Sequence, residues 1–110
     1  MTDDERRELE TVCEKATSLS EVGKPYVLLS KLRLPDGCKP AVCDALLSLS
    51  DRDGYPTRLF FAERIESPAA RNWNSLNVAI VERNWQAFSW SGVAAGRPME
   101  VLAQHLQALR

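Results

Sequence analysis

At 110 residues the chain has room for one domain and not for a second core. Apolar residues supply 45% and charged residues 26%, and the net charge of −1 gives no overall field for gathering a phosphate backbone. Arg and Lys are scattered rather than clustered, so nucleic-acid binding is not expected. No stretch approaches the ~18–20 apolar residues of a membrane span, and the N-terminal MTDDERRELE lacks the apolar run of a signal peptide. Three cysteines, an odd number, argue against a stapled secreted scaffold. The expectation is a cytoplasmic protein with reduced thiols and no membrane partner.

Residues 3–19 read as an amphipathic helix. Leu9, Val12, Cys13, Ala16 and Leu19 fall at helical spacing, and Asp3 or Asp4 is the expected N-cap. That helix stops before Gly23 and Pro25. YVLLSKLRL, 26–34, reads as a half-buried strand with Tyr26, Leu28, Leu32 and Leu34 on its apolar side. Pro35-Asp36-Gly37 is a turn, a second short strand lies within 44–50, and Asp53-Gly54 closes the next turn. TRLFFAERI, 57–65, is the third strand by its aromatic content. Residues 66–76 form a loop. A fourth strand falls at 78–81 or 85–90, or both as separate segments. A loop over 92–97 leads to Pro98, which suits the first turn of a last helix carrying Met99, Leu102, Leu106 and Leu109 on one face. The predicted domain is α+β: N-terminal helix, three- to four-stranded antiparallel meander over 26–90, and C-terminal helix over 98–110, with both helices on one face of the sheet.

Chemistry is sparse. Cys38 and Cys43 form C-x4-C, which only Cys13 and His105 could complete as a zinc site, and those two lie at opposite ends of the chain. Two small residues flanking a short loop is the simpler reading, and no metal is expected. His105, the sole histidine, lies beside the apolar stripe of the last helix, where a surface or half-buried structural role is expected. Five unclustered glycines offer no phosphate cradle, so no cofactor is expected. Trp73, Trp85 and Trp90 suit core filling. Trp85 and Trp90, five apart, face opposite sides of an unbroken strand, which puts one of them at a bend or at a protein-binding surface.

Gly54-Tyr55-Pro56 followed by RLFFAERI carries a resemblance. Helix, meander, and a Tyr-Pro step in the turn before the third strand resemble the core of ubiquitin-conjugating enzymes, above all the short divergent versions in bacterial ubiquitin-like operons. The non-catalytic RWD domains share the Tyr-Pro turn. That family carries His-Pro-Asn, then a nucleophilic cysteine, then Trp-Ser-Pro. Here NWNSLNVAIVERNWQAFSWSG, 72–92, occupies the corresponding place, with Asn72-Trp73-Asn74 for the first triplet and Trp90-Ser91-Gly92 for the last. Counting from either anchor puts the nucleophile at Glu82, which cannot form a thioester.

The resemblance implies a component of a bacterial ubiquitin-like modifier pathway, with antiphage defence as one setting. Its partners would be a ubiquitin-activating-like enzyme and a ubiquitin-like protein. The first helix would meet the activating enzyme through Arg6, Arg7 and Glu10, with Trp73 and Trp90 as further contact candidates. Asn74 would stand for the asparagine that supports the oxyanion, and Tyr55 and Pro56 would be structural. If the chain transfers a modifier, its nucleophile would be Ser91, Ser89, Cys43 or Cys38, and Glu82 or a distant His105 the only base. The third expectation is a plain RWD-like interaction module.

Overall fold

A computed structural model describes all residues from Met1 to Arg110. It is α+β, with two helices and six antiparallel strands. In chain order these are α1 (Asp3–Leu9), β1 (Lys15–Glu21), β2 (Lys24–Arg33), β3 (Val42–Ser48), β4 (Arg58–Phe61), β5 (Ser75–Ile80), β6 (Arg83–Ala87) and α2 (Pro98–Gln107). The sheet order is β1-β2-β3-β4-β6-β5.

The first helix is shorter than its periodicity predicts, and its second half is a strand. Thr2, not an aspartate, caps α1. Its hydroxyl accepts from the Glu5 N–H while the Glu5 carboxylate accepts from the Thr2 N–H, a complete capping box. The helix ends at Leu9, and residues 10–14 turn the chain into β1. Cys13, Ala16 and Leu19 suit helical spacing, but Thr17, Ser18 and Ser20 resist a helix through β-branching or side-chain competition for the backbone. Val22 and Gly23, at φ 52° and 73°, then form a two-residue hairpin turn into β2. The predicted single helix over 3–19 therefore gives way to helix plus edge strand, and the strand count rises to six.

The meander alternates cleanly between two apolar layers. Val27, Leu29, Ala45, Leu47, Leu59 and Phe61 face one side, where Leu9 of α1 and Val101, Leu102 and Leu106 of α2 cover them. This is the helices-on-one-face packing predicted from sequence. Tyr26, Leu46 and Phe60 face the other side, covered by Ile80, Trp85 and Ala87 of β5 and β6. β2 is thus buried on both sides rather than half-buried.

The β5–β6 hairpin forms the third layer. A single register pair, Phe61 opposite Gln86, joins it to β4, so side chains more than ladder hydrogen bonds hold it down. Its tip is fastened at the far side of the sheet, where the Val81 N–H donates to Glu21 Oε1 at 3.0 Å. The turns at Asp53-Gly54 and Val81-Glu82 both have positive φ at both residues. Asp53-Gly54 is the expected turn. Between β4 and β5 the loop crosses the β2–β3 connection, Lys39 and Glu66 exchanging both backbone hydrogen bonds. No helix is long and apolar enough to cross a membrane.

Candidate functional site

The most unusual buried residue is Arg58, the first of β4. Alternation along the strand sends Thr57, Leu59 and Phe61 toward the helices and Arg58 and Phe60 toward the hairpin. Arg58 is only 2% exposed, and none of its partners is a carboxylate. Its Nη1 donates to Ser75 Oγ at 3.0 Å; its Nη2 donates to Asn74 Oδ1 at 2.6 Å and to the Phe88 carbonyl at 3.3 Å. The guanidinium lies over the Tyr55 ring, 4.1 Å from its centroid, and its Nε is buried without a partner. Burial pulls its pKa down from the usual value, and charge on Tyr55 and Asp53 opposes that.

Above this cation three polar side chains meet at the surface. Asn74 Nδ2 donates to the Tyr55 hydroxyl at 3.1 Å, and that hydroxyl donates to Ser89 Oγ at 3.4 Å. They arrive from three places: the β3–β4 turn, the residue before β5, and the segment after β6. The Tyr55 pKa is lowered, first by hydrogen bonding from Ser89, then from Asn74, with the Arg58 charge adding to both. Ionisation requires the Ser89 hydroxyl to turn and donate. Ser89→Ala is therefore expected to raise the Tyr55 pKa, and Asn74→Ala to raise it less. An ultraviolet difference titration of the phenol reads both. An unchanged midpoint in both variants would dissolve the cluster as an electrostatic unit.

Asn74 and Ser89 were each candidates from sequence, and the fold brings them together with Tyr55. Glu82 does not join them. It sits exposed at the tip of the β5–β6 hairpin at φ 65°, while Asn74 and Ser89 lie at its base. Six strand residues separate the two ends, roughly 20 Å. His105 is not a base for Ser89 either. It is 1% exposed rather than at the surface, with Nε2 2.9 Å from Thr57 Oγ1. Thr57 spends its proton on the Val93 carbonyl at 2.8 Å, so His105 must donate, as a neutral Nε2–H tautomer. Burial, with the Arg58 charge behind it, pushes its pKa down to about 4. Neither base that the sequence offered lies beside Ser89, and the side chain that does meet it is Tyr55. Ser91 is exposed beyond Trp90 with no side-chain hydrogen bond.

The remaining candidates fall elsewhere. Cys13, Cys38 and Cys43 are all buried, and burial raises all three thiol pKa values above the ordinary value. Such thiols are poor nucleophiles at neutral pH. No three His, Cys, Asp or Glu side chains gather to share a metal ion. Trp73 meets Phe88 and Phe61 edge-on at 5.2 and 5.8 Å, a half-buried core role. Trp90 is half-buried under Arg71, whose guanidinium stands 4.5 Å over its ring and whose Nε donates to the Ala108 carbonyl. Pro56 is half-buried beside Tyr55. On α1, exposed Arg6 and Arg7 pair with Asp3 and Asp4 at 2.8 and 2.6 Å. Arg6 and Glu10 also line an open groove of about 650 Å³ between α1 and β1, with Thr2, Lys15, Ala16 and Ser18.

Comparison with protein-family models, with curated proteins and with solved structures finds no match for the chain. The functional reading therefore rests on the site and on the motifs. Arg58 was not singled out from sequence. Its one signal is a cation inside TRLFF, an otherwise apolar stretch.

Proposed function

We propose that the chain is a ubiquitin-conjugating-enzyme-like or RWD-like binding protein of a bacterial, cytoplasmic ubiquitin-like modifier pathway. It engages the activating enzyme, the modifier or both, without forming a thioester. The observation that carries the second half is the state of the thiols: three cysteines, all buried, all with raised pKa. The first half rests on the Tyr-Pro turn, the Asn74 and Trp90 anchors, and helices packed on one face of a meander. Arg6, Arg7 and Glu10, beside the α1–β1 groove, are the contact candidates for the activating enzyme, both arginines being held in place by Asp3 and Asp4.

A second reading keeps the transfer chemistry and moves it to a hydroxyl. The Tyr55–Asn74–Ser89 cluster over Arg58 favours it. A phenol of lowered pKa beside an exposed serine is the arrangement that hydroxyl activation needs.

Incubation with a bacterial activating enzyme, its ubiquitin-like modifier and ATP distinguishes the readings by intact mass and gel filtration. The expected result is a stable complex with no covalent adduct. An adduct released by thiol reductant overturns the proposal. An adduct that resists reductant, is lost in base and disappears in Ser89→Ala establishes the second reading.

A further inference from the structure

The two edges of the sheet differ. At one edge, β5 is broken by a register shift between Ser75 and Val78, Asn77 has φ 55°, and the Asn77 N–H is occupied by Gln86 Oε1. Such bulges are a usual means of blunting an edge. At the other, β1 runs seven residues in unbroken register against β2, from Lys15 opposite Ser30 to Glu21 opposite Lys24.

The direction of the free backbone groups on β1 follows from its turn. A two-residue hairpin makes Glu21 and Lys24 a hydrogen-bonded pair, so the odd residues of β1 bond to β2 and the even ones face outward. The Ala16 N–H agrees: it donates to Glu10 Oε2 at 3.0 Å, not to β2. Ser18 and Ser20 present outward backbone groups with no strand beyond them. Beside Lys15, Ala16, Thr17 and Ser18 lies the open groove of about 650 Å³.

The sequence of the edge, KATSLSE, carries opposite charges at equal distances from its centre. Laid antiparallel on itself with Ser18 opposite Ser18, it sets Lys15 opposite Glu21 twice, Ala16 opposite Ser20 twice, and Thr17 opposite Leu19 twice. In that register every even residue meets an even residue, which the outward-facing hydrogen bonds require. Shifting one copy by a single residue breaks this parity, and a shift by two removes both charge pairs. Lys15 has no salt-bridge partner within the chain. End charges that would guard the edge against a foreign strand thus become complementary toward a second copy.

We propose that β1 is a homodimerisation edge: two copies pair antiparallel across a two-fold axis at Ser18 and join their sheets into one of twelve strands. On pairing, the partner's Ser20 carbonyl replaces the Glu10 carboxylate on the Ala16 N–H. A seven-residue strand pair is small beside standard interfaces, so the association is concentration-dependent.

Sedimentation velocity of the full chain, from micromolar to millimolar concentration, tests this. The expected result is growth of a species of twice the 12.3 kDa chain mass. Ser18→Pro removes an outward donor and no bond to β2, so it should stay monomeric with its circular dichroism and thermal midpoint near wild type. Lys15→Glu and Glu21→Lys should each raise the Kd about tenfold or more. Glu21→Lys also releases the Val81 N–H, but only a paired edge lets an equimolar mixture of the two recover the dimer, since the two glutamates of one copy then face the two lysines of the other. The mixture keeps the test valid if the proline variant fails to fold. A wild-type chain that stays monomeric at millimolar concentration overturns the proposal, whether or not a foreign strand binds the same edge. So does a dimer indifferent to both charge variants.

Discussion

Trp85→Ala is expected to destabilise the domain by about 3–5 kcal/mol, read as a lower urea midpoint. Trp85 is fully buried between the meander and the hairpin that covers it. Its Nε1 donates to the Ile80 carbonyl at 3.0 Å, and the Arg83 guanidinium stands 4.6 Å from its ring centroid. With only one register pair joining β6 to β4, no ladder compensates for the lost ring. Trp85→Phe, which keeps most of the apolar area and loses the N–H bond, should cost less than half as much. A loss below about 1 kcal/mol for the alanine variant would mean that the hairpin contributes little to the fold.

The second large effect is acid destabilisation through His105. Its folded pKa is about 4, against 6.5 in an unfolded chain. Above pH 6.5 both states are neutral and the group makes no difference. As pH falls below 6.5 the unfolded chain takes the proton and the folded one does not, so stability drops until about pH 4. The full loss is about 3 kcal/mol. Asp44 and Glu5, whose pKa values are lowered, add losses of the same sign at lower pH. His105→Gln isolates the histidine: the amide can still donate to Thr57 but does not titrate. The difference in unfolding free energy between variant and wild type should therefore be pH-dependent between 6.5 and 4 and flat above. A flat difference throughout would show that the ring is solvated in the folded state.

Thr57 and Arg58 link the helix that carries His105 to the two ends of the hairpin that carries Trp85. Thr57 reaches α2 through His105, and Arg58 reaches the hairpin through Asn74, Ser75 and Phe88. Two adjacent residues at the start of β4 tie all three layers together. None of this is visible in TRLFF beyond the presence of an arginine in an apolar run.

Much of the scaffold was legible where local chemistry is unambiguous. Pro98 at the first turn of α2, the Asp53-Gly54 turn, and the aromatic content of β4 all announce themselves. Reading failed at residues 10–21, where the spacing of Cys13, Ala16 and Leu19 satisfies a helix while Ala16 and the serines that follow it equally satisfy an edge strand. Tertiary pairing with β2, absent from any local pattern, decides between them. The turn at Val22-Gly23 was the available signal for a hairpin. The odd spacing of Trp85 and Trp90 applied to one unbroken strand, but β6 ends at Ala87: Trp85 is buried within it and Trp90 is half-buried past its end.

The candidate site was legible in parts only. Asn74, Ser89 and Tyr55 are named by motif or position, but 34 residues separate Tyr55 from Ser89, and no spacing rule reports their contact. Counting to Glu82 assumes a loop between the Asn74 and Trp90 anchors. The chain there is a tight hairpin, which carries its middle residue away from both ends.

The fastening of Val81 to Glu21 gives that hairpin a mechanical character. Its backbone is tied to the rest of the protein only at Gln86 and at the Val81 N–H, while the Arg83–Asp44 ion pair and the buried Ile80, Trp85 and Ala87 hold it shut, as a flap with a hinge and a catch. Hydrogen exchange should reach its amides through an opening that leaves β2 and β3 closed, since their pairing does not involve it. That opening would also withdraw Asn74, Ser75 and Phe88 from Arg58, uncovering a cation that the closed protein keeps from water.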